Sequence, residues 1–188
     1  MKKIIKPLTT VTFLVLFTNF LIPRRSDTIK ILADKKHSQI EYTMVHPLHE
    51  WTGVSQNVNC AILYGPDTKR IESVAVSVPL SSFDSRNSNR DSHALEVLEA
   101  LQFPTVKFVS NNIRKMEDSL FVTGNLTLHN VTHLIDIKAK QSDLKNEMRI
   151  TGAFPINITD YNIEVPSLMG IKTKEEVWLI FNIAFPIK

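Results

Sequence analysis

Six apolar side chains occupy every second position at the end of the chain: Val177, Leu179, Phe181, Ile183, Phe185 and Ile187. Side chains of a β-strand alternate between its two faces, so such a run presents one continuous apolar face. The same alternation recurs upstream. Ile40, Tyr42 and Met44 alternate with Gln39, Glu41 and Thr43 within Ser38–Val45. Val74, Val76 and Val78 do so over Ile71–Val78, and Leu120 to Leu128 stand opposite Thr123, Asn125 and Thr127. Met148, Ile150, Gly152, Phe154, Ile156 and Ile158 form the longest internal series. Shorter strands are read at Ile29–Leu32, Gly53–Tyr64, from Val106 and Phe108 onward, and through Ile135, Ile137 and Ala139. His46–Trp51 reads as a break, Gly65-Pro66-Asp67 as a turn and His129-Asn130 as a hairpin turn. No helical pattern alternates with these strands, which excludes βαβ units. About eight antiparallel strands joined by short turns predict an up-and-down barrel, because closure removes the sheet edges. A barrel of that size is filled by its own side chains or holds one small ligand.

One stretch departs from the strand pattern. Asp84–Asp91 is almost wholly polar, and Ala94, Leu95, Leu98 and Leu101 then recur at helical spacing. The sequence predicts one short helix here, capped by Asp91 or Ser92 and ended before Pro104. A single helix in a β protein must cover something, and the open end of a barrel or sandwich is the expected place. Three buried leucines would hold such a lid with roughly 1.5–3 kcal/mol each.

The length of 188 residues suits one domain, and the formal net charge is +3. That charge is concentrated at one end. Lys2, Lys3, Lys6, Arg24 and Arg25 have no acidic neighbour within the first 25 residues; removing these five from 22 basic residues leaves 17 against 19 acidic ones. The remainder is weakly acidic and carries no basic patch for nucleic acid. Residues 1–25 read as an export signal that is cleaved, with a basic start and an apolar stretch from Leu8 to Ile22. The alternative is an uncleaved N-terminal anchor. Residues 26–188 form the domain, and a periplasmic or secreted location follows. Cys60 is the single cysteine, so neither an internal disulfide nor a cysteine-based zinc site is available.

Histidines offer the main catalytic or metal reading. His46 and His49 are three apart, and His129 and His133 flank a turn. A third metal ligand is not visible beside either pair, so both read as turn residues. Asp91 and His93 resemble an acid–base pair. The structural reading instead has Arg86 or Arg90 pairing with Asp84 or Asp91 to fasten the lid. The chain has no nucleophile elbow, phosphate loop or dinucleotide fingerprint. No enzyme activity, cofactor or metal is expected.

The spacing Asp84…Asn87…Arg90-Asp91…His93…Leu98…Phe103-Pro104…Phe108…Ser110 resembles the signature of the YceI-like family. His46 with Gly53, Val122–Leu128 with Val131-Thr132, and Asp160–Ile163 with Gly170 agree with it. Ser55 and Cys60 stand where relatives usually carry an aromatic residue and often a glycine. The resemblance implies an exported, lipocalin-like barrel that binds polyisoprenoid or another long-chain amphiphile.

The expected function is therefore a carrier whose lumen holds an isoprenoid, fatty acid or similar chain. Tyr42, Met44, Phe108, Phe154 and Phe181 are the lumen candidates on strands. Phe83, Leu98 and Phe103 join them from the lid region. Trp51 and His46 belong to the mouth, His93 is the head-group candidate, and Leu168 and Met169 are an adaptable loop. The partners implied are a long-chain lipid-like ligand and no nucleic acid. Membrane contact is transient or through an uncleaved N-terminal segment, and a homodimer is one assembly open to such a barrel. Two alternatives remain: a filled-barrel interaction module without ligand, and a histidine-dependent metal protein or enzyme.

Overall fold

The computed structural model describes residues 27–168 and 170–187. The expected export signal thus lies outside the described residues. In chain order the strands are β1 (Ile29–Leu32), β2 (Gln39–His46), β3 (His49–Ser55), β4 (Asn59–Gly65) and β5 (Arg70–Pro79). A helix, α1 (Ser88–Val97), precedes β6 (Thr105–Met116), β7 (Ser119–Leu128), β8 (Val131–Asp143) and β9 (Glu147–Asn157). The short pair β10 (Ser167–Leu168) and β11 (Ile171–Lys172) leads into β12 (Glu176–Pro186).

The main sheet is antiparallel, in the order β1-β4-β5-β6-β7-β8-β9-β12-β2-β3. It has ten strands where the sequence predicts about eight. The difference arises at one place. His46–Trp51 is not a break but a tight hairpin, with His46 paired to His49 across Pro47-Leu48. The following run, Gly53–Tyr64, is divided at residues 56–58, so it supplies the end of β3 and all but the last residue of β4.

The sheet curls into a half-barrel that is fastened at points rather than closed by a full ladder. Past β1 the chain crosses from β4 to β12: Ala33 N–H donates to Cys60 O at 2.9 Å and Asp34 N–H to Ala184 O at 2.8 Å. Buried Ser38 accepts from Ala184 N–H at 3.0 Å. At the other edge, Val54 and Asp84 exchange two backbone hydrogen bonds of 3.0 and 2.9 Å. This bridge blunts the exposed edge of β3.

α1 starts earlier than the sequence predicts. Its cap is Asn87, whose Oδ1 accepts from Arg90 N–H at 3.1 Å. Asp91 turns back, and its two carboxylate oxygens accept from Ser85 N–H at 3.1 and 3.3 Å. The polar run needs no apolar face, because it forms the approach to the helix and its first turn, with Ser85 alone buried among its residues. The end also differs. Glu99 takes a positive φ of 45°, and Ala100 N–H donates to Leu95 O at 2.9 Å. That pattern stops the helix well before Pro104. It also turns Leu101 fully outward, so Leu101 does not hold the lid.

The buried apolar side chains form two clusters. One contains Val58, Cys60, Ile62, Met148 and Phe185; the other contains Leu80, Leu126, Leu128, Ile158 and Tyr161.

Candidate functional site: a divided apolar lumen

Two cavities lie inside the curled sheet. The deep chamber has a volume of ≈ 140 Å³ and exposes only apolar surface. Phe108, Phe154 and Phe181 form much of its wall, with Cys60, Val76 and Ile150. The outer chamber, ≈ 150 Å³, lies under α1 and is roofed by Ala94, Leu95, Val97 and Leu98. These side chains are only half-buried: Leu95, Val97 and Leu98 pack against the cluster around Leu80 and Ile158 and also border the chamber.

Close approach of rings to glycines keeps the lumen open. Tyr42 lies over Gly53, its partner on the neighbouring strand, and Phe181 over Gly152, likewise its partner. Phe108 lies over Gly124 on the strand beside it. A Cβ added at Gly152 would stand 2.5 Å from Phe181 Cζ. The missing side chains let the rings lean on the wall rather than project across the lumen.

Polar side chains gather at the outer chamber, whereas among the described residues Lys107 is the one charged residue bordering the deep one. Trp51, Arg90, Asp91 and His93 line it beside Tyr42 and Met44. The Arg90 guanidinium lies 5.0 Å from the centre of the Trp51 ring, a cation–π contact worth about 0.5–1 kcal/mol at an exposed site. Burial, and then the Asp91 carboxylate, push the Tyr42 phenol above its ordinary pKa, while Trp51 and Arg90 oppose them. Among the described residues no ion pair joins Arg86 or Arg90 to Asp84 or Asp91. The lid is fastened instead by backbone donors to the Asp84 and Asp91 carboxylates, with Asp84 Oδ1 accepting from Arg86 N–H at 2.7 Å.

Most of the residues singled out from sequence meet at these chambers. Phe83, Phe108, Phe154 and Phe181 line the deep one; Tyr42, Met44, Trp51, Phe83, His93 and Leu98 line the outer one. His93 stands at its rim, 57 % exposed and 3.7 Å from Glu96. His46 and Phe103 line neither chamber. His46 is 2 % exposed and structural: Leu48 N–H donates to its Nδ1 at 3.2 Å, so Nε2 carries the proton and donates to Ile171 O at 3.1 Å. Phe103 packs edge-on against His129 at 4.9 Å. The Leu168 side chain and Met169 lie outside the described residues.

The other histidines are explained by the fold. His129 and His133 bond the carbonyls of Tyr161 and Asp160 at 3.1 and 2.9 Å, tying the β7–β8 hairpin to a neighbouring turn. His49 stacks beside His46 and Trp51. Among the described residues no three His, Cys, Asp or Glu side chains are placed to share a metal. Sequence reasoning gave Arg90 a carboxylate partner at the lid and missed its contact with Trp51, as it missed the rings over glycines. The pairing of an aromatic residue with a cross-strand glycine was the available signal.

Comparison with known proteins agrees with this architecture. Residues 32–185 match the YceI-like domain. Protein YceI of Salmonella newport is 28 % identical over 114 residues, 59 % of this chain and 60 % of that protein. The aligned region thus spans about three fifths of that relative's length. Burkholderia cenocepacia BcnA superposes with a TM-score of 0.73 at 16 % identity, over 81 % of this chain and 98 % of BcnA. A polyisoprenoid binding domain from Saccharophagus degradans, implicated in plant cell wall breakdown, gives 0.67 at 14 % identity over 86 % and 100 %. At these identities the structural likeness speaks for the fold. The curled antiparallel sheet, the one α-helix among its described residues and the match over most of its length place this chain in the YceI-like family.

Proposed function

We propose that the protein binds one long-chain apolar or amphiphilic molecule, with its tail in the deep chamber and its polar end near Arg90, Trp51 and Tyr42. The observation that carries this reading is the deep chamber's purely apolar surface. A chamber lined in this way offers water no hydrogen-bond partner. At about 24 cal/mol per Å³, leaving ≈ 140 Å³ empty forgoes roughly 3 kcal/mol relative to a filled core. A structural module gains nothing from that loss, whereas a binding protein recovers it from its ligand. Each buried methylene would contribute about 0.8 kcal/mol, so a long tail binds tightly with few polar contacts. The Saccharophagus degradans neighbour is a polyisoprenoid binding domain, and an isoprenoid chain is one molecule of this class. Binding without catalysis, in the periplasm or outside the cell, suits such a site.

The test is purification without detergent, solvent extraction and mass spectrometry of the extract. A stoichiometric isoprenoid, fatty acid or similar chain is expected. Folded protein that yields no such molecule, and binds none added back, would overturn the reading.

A further inference from the structure

We propose that Phe83 determines which ligands fit, by dividing the lumen so that one slender chain passes and two chains side by side do not. This rests on the binding reading above and specifies the ligand as a single-chain amphiphile.

Phe83, Val106 and Leu179 are the residues that line both chambers. Phe83 and Val106 also pack against both apolar clusters. The chambers therefore lie in series, and their common wall is this narrow set of side chains. A chain long enough to use both must pass the Phe83 ring. A second chain has no parallel compartment to enter.

The ring is also held in place. Ser82 Oγ donates to Pro79 O at 2.6 Å and lies 2.7 Å from Ser55 Oγ. Phe83 N–H donates to Leu80 O at 3.3 Å, and the next residue, Asp84, is clamped to Val54 by two hydrogen bonds. The backbone on both sides is thus fixed where the sheet is fastened. Tyr42 meets the ring edge-on, with centres 5.5 Å apart. Only side-chain rotation remains to admit a chain. A phenyl ring on a clamped backbone acts as the partition, whereas the Tyr42, Phe108 and Phe181 rings lean on glycines along the wall.

The experiment measures affinities of a 1-alkanol series for the ligand-stripped wild type, Phe83→Trp and Phe83→Leu, with melting curves as a folding control. In the wild type, affinity should rise about fourfold per methylene until both chambers are filled, then level off. Phe83→Trp should level off at a shorter chain, and Phe83→Leu should do so later or accept methyl-branched alcohols more tightly. The wild type should also bind dodecanoyl lysophosphatidylcholine at least tenfold more tightly than dihexanoylphosphatidylcholine, which divides the same number of acyl carbons between two chains. The same levelling length in all three proteins, or equal affinity for the two phospholipids, would overturn the role of Phe83 while leaving binding intact. If no alkanol binds the folded wild type at any length, the binding reading falls and the proposal falls with it.

Discussion

The Cys60 thiol faces the deep chamber, and burial pushes its pKa up to about 12 from an ordinary 9.0. The thiolate is the reactive form, so native protein should resist alkylation at pH 8 and react only when unfolded. Rapid labelling of the folded protein would show that the chamber is wet. The same shift has a consequence for stability. Because the folded pKa lies above the unfolded one, the contribution of Cys60 is fully present below pH 9.0 and is lost as pH rises toward 12. Alkaline melting should therefore be steeper for the wild type than for Cys60→Ala over that window. Gly152 gives a second residue-scale expectation. Gly152→Ala would place a methyl group against the Phe181 ring and force it into the lumen. A stability loss of about 1–3 kcal/mol, read from denaturant melts, should accompany weaker chain binding.

At the scale of elements, α1 is a lid held by its ends more than by its middle. No residue within it is fully buried, and its apolar side overhangs the outer chamber. Asn87→Ala should cost about 1 kcal/mol of stability through loss of the cap. Leu98→Arg should lower both ligand retention and the melting temperature, because Leu98 borders the chamber and also packs against the cluster around Leu80 and Ile158. Unchanged retention in Leu98→Arg would remove α1 from the site. The existence of this helix was legible from Ala94, Leu95 and Leu98, but its bounds were not. A polar first turn looks like a loop in sequence, and a positive φ at Glu99 leaves no glycine to mark the stop. Strands with strict alternation, such as β9 and β12, were legible almost to the residue. The β2–β3 hairpin was hidden because Pro47-Leu48 joins two strands whose ends are histidines rather than strong strand formers.

For the whole molecule, the sequence points to an antiparallel curled sheet but leaves its closure and its contents open. Closure depends on a few distant backbone partners, among them Val54 with Asp84 and Asp34 with Ala184, which no local pattern encodes. The inward faces carrying Phe108, Phe154 and Phe181 were readable from alternation. Whether such faces fill a barrel or merely line it depends on where the rings lean, and that is set by Gly53, Gly124 and Gly152 on adjacent strands. The central claim is that the deep chamber is empty apolar space in the ligand-free protein. Val76 borders that space from β5, so Val76→Phe tests the claim through the sign of one number. Filling a real cavity is commonly worth 0.5–2 kcal/mol, and each kcal/mol moves a chain of this size by roughly 2–4 °C. The melting temperature of stripped Val76→Phe should therefore stand above that of the stripped wild type by a few degrees. A fall of similar size would mean that the chamber is already filled by side chains, and would contradict the account.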